Sequence, residues 1–266
     1  MSTVQGSTDS EGTSEELSAS VDTASLEGVL RRVDELTELG EHQGALHLLD
    51  MARTTFPPNA HVETARGWAF ENLGPDHLES AGNAYAEALR LDPEVLEARE
   101  GLGNVLFSRG DIDAANQLYR EVVERVDGSD GEDILALELQ GWCLYKLNEF
   151  ERAVEVFTTA LGKDASTVAV RFDLGLALLA RGDVGRAVAE YGASIAQLRR
   201  VAASRRVGAL KVALEDLDAG MEERLSVRQN YAAREMRNRL AWELSEARAA
   251  VIPDALELTA DPSGDA

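Results

Sequence analysis

Apolar residues recur at spacings of three and four along roughly 230 central residues, and no stretch sustains an alternation of period two. That spacing marks one face of an α-helix, so the pattern predicts helices throughout and no sheet. Both ends break the pattern. Residues 1–23 are rich in Ser, Thr and acid and poor in apolar side chains, and the stretch 253–266, opened by Pro253, is similar. Neither buries enough apolar surface to offset the entropy of ordering, so both are expected to be disordered tails.

Inside the helical stretch the pattern repeats. Ala81, Tyr85, Ala88 and Pro93 are separated by four, three and five residues. The same gaps recur in Ala45-Leu49-Ala52-Pro57, Ala115-Tyr119-Val122-Asp127, Ala153-Phe157-Ala160-Ala165 and Ala187-Tyr191-Ser194-Arg199. A second series precedes each one: a glycine, a large apolar residue three later, and a turn residue four after that. Its instances are Gly67-Phe70-Gly74, Gly103-Leu106-Gly110, Gly141-Leu144-Asn148 and Gly175-Leu178-Gly182. The first copy has Val33 for the leading glycine, followed by Leu36 and Gly40. The leading alanines lie 36, 34, 38 and 34 residues apart.

This array resembles the tetratricopeptide repeat family, whose unit is a 34-residue helix–turn–helix. The resemblance covers residues 24–200 in five copies. Small residues such as Gly67 and Ala81 sit where two helices cross closely, and Tyr85, Tyr119 and Phe157 fill the space beside them. Gly40, Gly74, Gly110 and Gly182 are expected in the left-handed conformation that ends a helix, and Pro57 and Pro93 stop the second helices. Arg66 and Gln140 depart from the family pattern, standing where an apolar residue is usual. The resemblance implies an all-α, right-handed superhelical solenoid with a concave inner face. Residues 201–252 keep helical spacing without the repeat signature. They read as C-terminal capping helices or a degenerate sixth repeat, with a break near Gly220.

Chemistry is sparse. The single cysteine, Cys143, excludes an internal disulfide and a thiolate metal cage, and it reads as packed and inert. His42 and His47 read as surface histidines, and the histidines share no ligand spacing, so no metal or cofactor is expected. No phosphate loop, nucleophile elbow or His-Glu-x-x-His pair occurs, and no enzymatic activity is expected. No apolar run spans a membrane, and the N-terminus lacks the features of a signal peptide, so the chain is expected to be cytoplasmic.

The resemblance also implies which residues line the groove, because the first helix of each family repeat faces inward. Carried over, the candidate partner-binding residues are Trp68, Glu71 and Asn72 in copy two, and Glu97, Glu100, Asn104 and Phe107 in copy three. Copy four adds Glu138, Trp142 and Tyr145, and copy five adds Phe172. Aromatics make up only 5% of the chain, so their gathering on one face is informative. Rings among carboxylates suit a peptide or protein segment with basic and apolar side chains. The alternative is that these rings pack between repeats. Glu100 and Leu139 stand where a clamp for a partner's terminal carboxylate needs Lys and Asn, so that mode is not expected. The implied function is a protein-interaction scaffold.

Charge adds one refinement. The net charge of -22 disfavours nucleic acid and anionic membrane as partners. Yet residues 194–250 carry 11 Lys+Arg against 8 Asp+Glu, a net of +3 that leaves -25 elsewhere. The basic cap reads as an ion-paired solvated surface. Alternatively, its arginine-rich helix occupies the acidic groove or meets a second copy of the chain.

Overall fold

The computed structural model describes residues 25–128, 133–223 and 225–258. Among the described residues there are twelve α-helices and one 3-10 turn, Pro75–His77, and no strand. The first ten helices form five hairpins. These are α1 (Leu26–Glu38) with α2 (His42–Thr55), α3 (Ala60–Asn72) with α4 (Leu78–Leu91), and α5 (Leu96–Ser108) with α6 (Ile112–Asp127). Then come α7 (Ile134–Lys146) with α8 (Phe150–Lys163), and α9 (Val168–Arg181) with α10 (Val184–Leu198). Two longer helices follow, α11 (Ala203–Glu223) and α12 (Val227–Leu258). The expected N-terminal tail lies outside the described residues, as do residues 259–266, while α12 runs on past Pro253 to Leu258.

Each hairpin turns where the sequence predicts. Gly40, Gly74, Gly110 and Gly182 have φ of 77°, 105°, 85° and 97°, and Asn148 takes the same region at 63° in copy four. In four of the turns the chain closes back on the large apolar residue of the second series. The amides of Glu41, Asp111, Glu149 and Asp183 donate to the carbonyls of Leu36, Leu106, Leu144 and Leu178. This six-to-one bond satisfies carbonyls that a helix end would otherwise leave open.

The leading glycines are seats for rings. A Cβ on Gly67 would stand 2.6 Å from the Tyr85 ring, on Gly103 2.7 Å from Tyr119, on Gly141 2.5 Å from Phe157 and on Gly175 2.7 Å from Tyr191. No side chain fits there without displacing the ring. Copy one solves the same volume differently, with Val33 at the glycine position and the smaller Leu49 at the ring position, both buried. The two departures from the family pattern become ties between repeats. Arg66 donates to Asp50 and Glu63, and Gln140 donates to Asp127.

The C-terminal pair differs from expectation in two ways. Gly220 does not break the helix. It is buried within α11, where a Cβ would stand 3.0 Å from Leu176 and from the Tyr145 hydroxyl. The break falls between Glu223 and Val227. There Ser226 and Gln229 form a reciprocal cap: the Ser226 amide donates to Gln229 Oε1, and the Gln229 amide to Ser226 Oγ. Gln229 also donates to the carbonyls of Leu179 and Ala180, which ties the start of α12 to the end of α9. Second, the helix on the concave side is α11, not the arginine-rich α12. α11 packs on α9 and reaches α1, whereas α12 packs on α10 and α11. Two of the region's arginines pair within it, Arg199 with Glu243 and Arg237 with Asp218, and Arg205 reaches Glu38 of α1.

Candidate functional site

Helices α1, α3, α5, α7 and α9 present their inner faces to one another, and α11 crosses the opening. Together they line an open channel of about 670 Å³. Eight of the candidate residues line it: Trp68, Glu71, Asn72, Glu100, Asn104, Glu138, Trp142 and Phe172. Trp68 is 38% exposed and lies edge-on to His42, with ring centroids 5.2 Å apart. His42 is itself buried, not on the surface; His47 is exposed. The Lys146 ammonium lies 5.1 Å from the Trp142 ring and 5.2 Å from that of Phe107. Two candidates are packed away from the channel wall. Phe107 is half-buried beneath Lys146, and Tyr145 is 3% exposed, stacked on Trp142 and wedged against Phe150. Glu97 lines a separate, smaller cleft of about 260 Å³ with His61, Leu135 and Leu139.

A family model described as tetratricopeptide repeat matches residues 76–130 and 139–203. The chain carries tetratricopeptide repeats. Stress-induced-phosphoprotein 1 of Caenorhabditis elegans is 30% identical over 91 residues, a match that takes in 34% of this chain and 27% of that protein. The Cut9–Hcn1 hetero-tetramer structure aligns with 85% of this chain and 50% of that chain, at a TM-score of 0.53 and 14% identity. A thermophilic TPR protein of Thermus thermophilus aligns with 70% of this chain and 98% of that one, at a TM-score of 0.44 and 16% identity. At such identities the structural likeness is one of fold. Among the described residues no helix is long and apolar enough to cross a membrane, and no group of three or more His, Cys, Asp or Glu is placed to hold a metal ion.

The tetratricopeptide inner face is unusually rich in sunken carboxylates here. Glu71 accepts a hydrogen bond from the Tyr85 hydroxyl at 2.9 Å. Asn104 donates to Glu100 at 2.6 Å while its oxygen accepts from the Tyr119 hydroxyl at 2.9 Å, which fixes the amide orientation. Burial pushes Glu71 up to about 7, against the opposing pull of the Tyr85 bond and Lys146. Burial and the charge of Glu71 push Glu100 up to about 7 as well. Glu138 is raised by burial alone. Glu71 and Glu100 are acids poised between neutral and ionised, where a cation entering the channel strengthens the ionised form.

Two channel acids escape a reading of the repeats. Asp173 stands beside Phe172 on α9, and burial together with Glu138 and Asp216 holds it well above the carboxylate range. The sequence does carry a signal for it, since it is the one acid in the segment 168–181, which is apolar apart from Arg171 and Arg181. Asp216 comes from α11 and is pushed up to about 7, chiefly by burial. No repeat position announces it, because only the docking of α11 brings it to the channel. Cys143 is fully buried, and desolvation raises its thiol well above the usual range, which fits a packed, unreactive residue.

Proposed function

We propose that this chain is a non-catalytic, cytoplasmic scaffold that holds a segment of a partner protein in its channel. The observation that carries the reading is the pairing of Trp68 and Trp142, on inner helices of a single cavity, with the carboxylates Glu71, Glu100 and Glu138. Indole faces attract cations, and desolvated carboxylates bind them more strongly than exposed ones. The segment therefore carries Lys or Arg among apolar side chains. The tetratricopeptide fold supports an interaction role by analogy, and the walls of the channel supply the specificity.

The test uses a panel of labelled synthetic peptides, basic-apolar against acidic-apolar, followed by fluorescence anisotropy with the full chain. Basic-apolar peptides are expected to bind, and the Trp68→Ala/Trp142→Ala double variant to lose affinity on the order of 100-fold with unchanged helicity. Equal binding of both peptide classes, or full retention by the folded double variant, removes the channel as the site.

A further inference from the structure

The edge of the channel formed by the first repeat already has an occupant. α11 presents Arg205, Gly208, Ala209 and Val212 to the channel, a spacing that places all four on one helical face. Gly208 makes the closest approach. A Cβ there would stand 2.0 Å from the carbonyl oxygen of Glu38, the last residue of α1, so backbone lies directly on backbone. One cation flanks the contact on each side. Arg205 lies 3.8 Å from the Glu38 carboxylate, and the Lys211 ammonium lies 4.0 Å from where a Cβ on Gly40 would stand. α1 has no basic residue in its own last turn, although the end of a helix carries partial negative charge and Glu35, Glu38 and Glu41 gather there. α11 supplies the missing cations.

The two faces of α11 are held differently. Leu210, Ala213 and Leu217 belong to the large core shared with α9 and α12, and the partly buried Val207 and Ala209 pack against it, while the core of α1 to α3 contains no residue of α11. Val212, on the channel face, is 47% exposed. The junction with α1 is therefore made of small and polar contacts, and it can part at the first turns of α11 while Leu210 and the residues beyond it stay anchored.

We propose that the Thr37–Gly40 edge, with Trp68 beside it, is a docking surface for helical segments that carry a Gly/Ala face flanked by Lys or Arg, and that α11 occupies it in cis. This rests on the channel as the interaction site and names the kind of helix it accepts. A partner helix of that chemistry replaces the first turns of α11, residues 203–209, which lift away from α1.

The probe is a labelled synthetic peptide of residues 201–216, titrated into full-length chains. The Gly208→Leu chain cannot seat its own α11 and is expected to bind this peptide at least tenfold more tightly than the wild-type chain. A peptide that itself carries Gly208→Leu is expected not to bind. Arg205→Glu, at an exposed position that does not put folding at stake, sets like charge against Glu38 and is expected to raise peptide affinity severalfold. Hydrogen exchange in residues 203–209 rises in both variants. Unchanged exchange, or equal weak binding of both peptides by all chains, overturns the proposal. The basic-apolar panel is measured in parallel. If the panel binds but responds to neither variant, the docking surface fails and the channel reading stands. If the residue 201–216 peptide binds as described and the panel does not, the reverse holds.

Discussion

The five repeat hairpins and the C-terminal pair are both built of antiparallel helices, yet they are specified in different ways. In the repeats each contact is local. A glycine seats a ring from the next helix, and a left-handed residue at a fixed offset turns the chain. In the C-terminal pair the decisive contacts are remote: Gly208 meets Glu38, Gly220 meets Tyr145 and Leu176, and Gln229 meets the end of α9. A glycine in a repeat can be read from its period. The same residue in α11 has no meaning until its distant partner is known.

Four experiments can break or sharpen that contrast. The largest effect belongs to the local packing. Phe157 is fully buried on the Gly141 seat, and Phe157→Ala is expected to cost about 3–5 kcal/mol in urea unfolding, through the cavity it leaves. Next comes the compensated first copy. Leu49→Tyr alone overpacks against Val33 and is expected to cost about 1–3 kcal/mol. Adding Val33→Gly recreates the glycine–ring seat of the other copies, so most of that loss should return in a double-mutant cycle.

The remote junction should respond more weakly and in one place. Gly208→Ala gains about 1 kcal/mol of helix propensity, but its methyl meets a backbone carbonyl that moves only with the whole of α1. The clash prevails. Faster hydrogen exchange is expected at the end of α1 and the start of α11, with the other repeats unchanged.

The smallest effect is the pH response. Glu71, Glu100 and Asp216 are pushed up to about 7 when the channel is closed, so closure favours their neutral forms. This contribution to stability is fully present below the ordinary carboxylate range and is lost as pH rises through about 7. Lys146, Glu100, Glu215 and Asp173 are the charged groups that act on or feel Asp216, and Arg205 with Glu38 lies at the α1 end. Denaturation midpoints should fall as pH rises from about 5.5 to about 8, and Asp216→Asn should flatten the decline. An undiminished slope in that variant would show that the acids of α3 and α5 respond without α11.

Legibility in the sequence follows the same division. The five hairpins, their turns and the glycine–ring seats were readable, since each rests on residue types at offsets that one helix pair enforces. The channel wall was readable in part. Eight of eleven candidate residues line it, whereas Tyr145 and Phe107 pack behind Trp142 and Lys146, and Glu97 lies in a neighbouring cleft. The inner-face rule gives the direction of a position, not the depth to which adjacent rings cover it. The cap to α12 at Ser226 and Gln229 had a local signature that was open to reading. The break near Gly220 was inferred from a glycine that in fact permits close packing.

By itself, then, the sequence determined an all-helical array of five stacked hairpins with an acidic, ring-bearing inner face. Periodicity and short-range sterics suffice for that, because every repeat is checked against a neighbour of the same design. Only the tertiary structure decided that the array closes on itself through α11, that His42 is buried and Asp216 lines the channel, and that the inner face becomes a channel with α11 as an added wall. That closure joins residues more than 160 positions apart, Glu38 and Gly208 among them. No local preference encodes a backbone contact made over such a distance, so it emerges when the superhelical curvature of the repeats brings the first helix within reach of the eleventh.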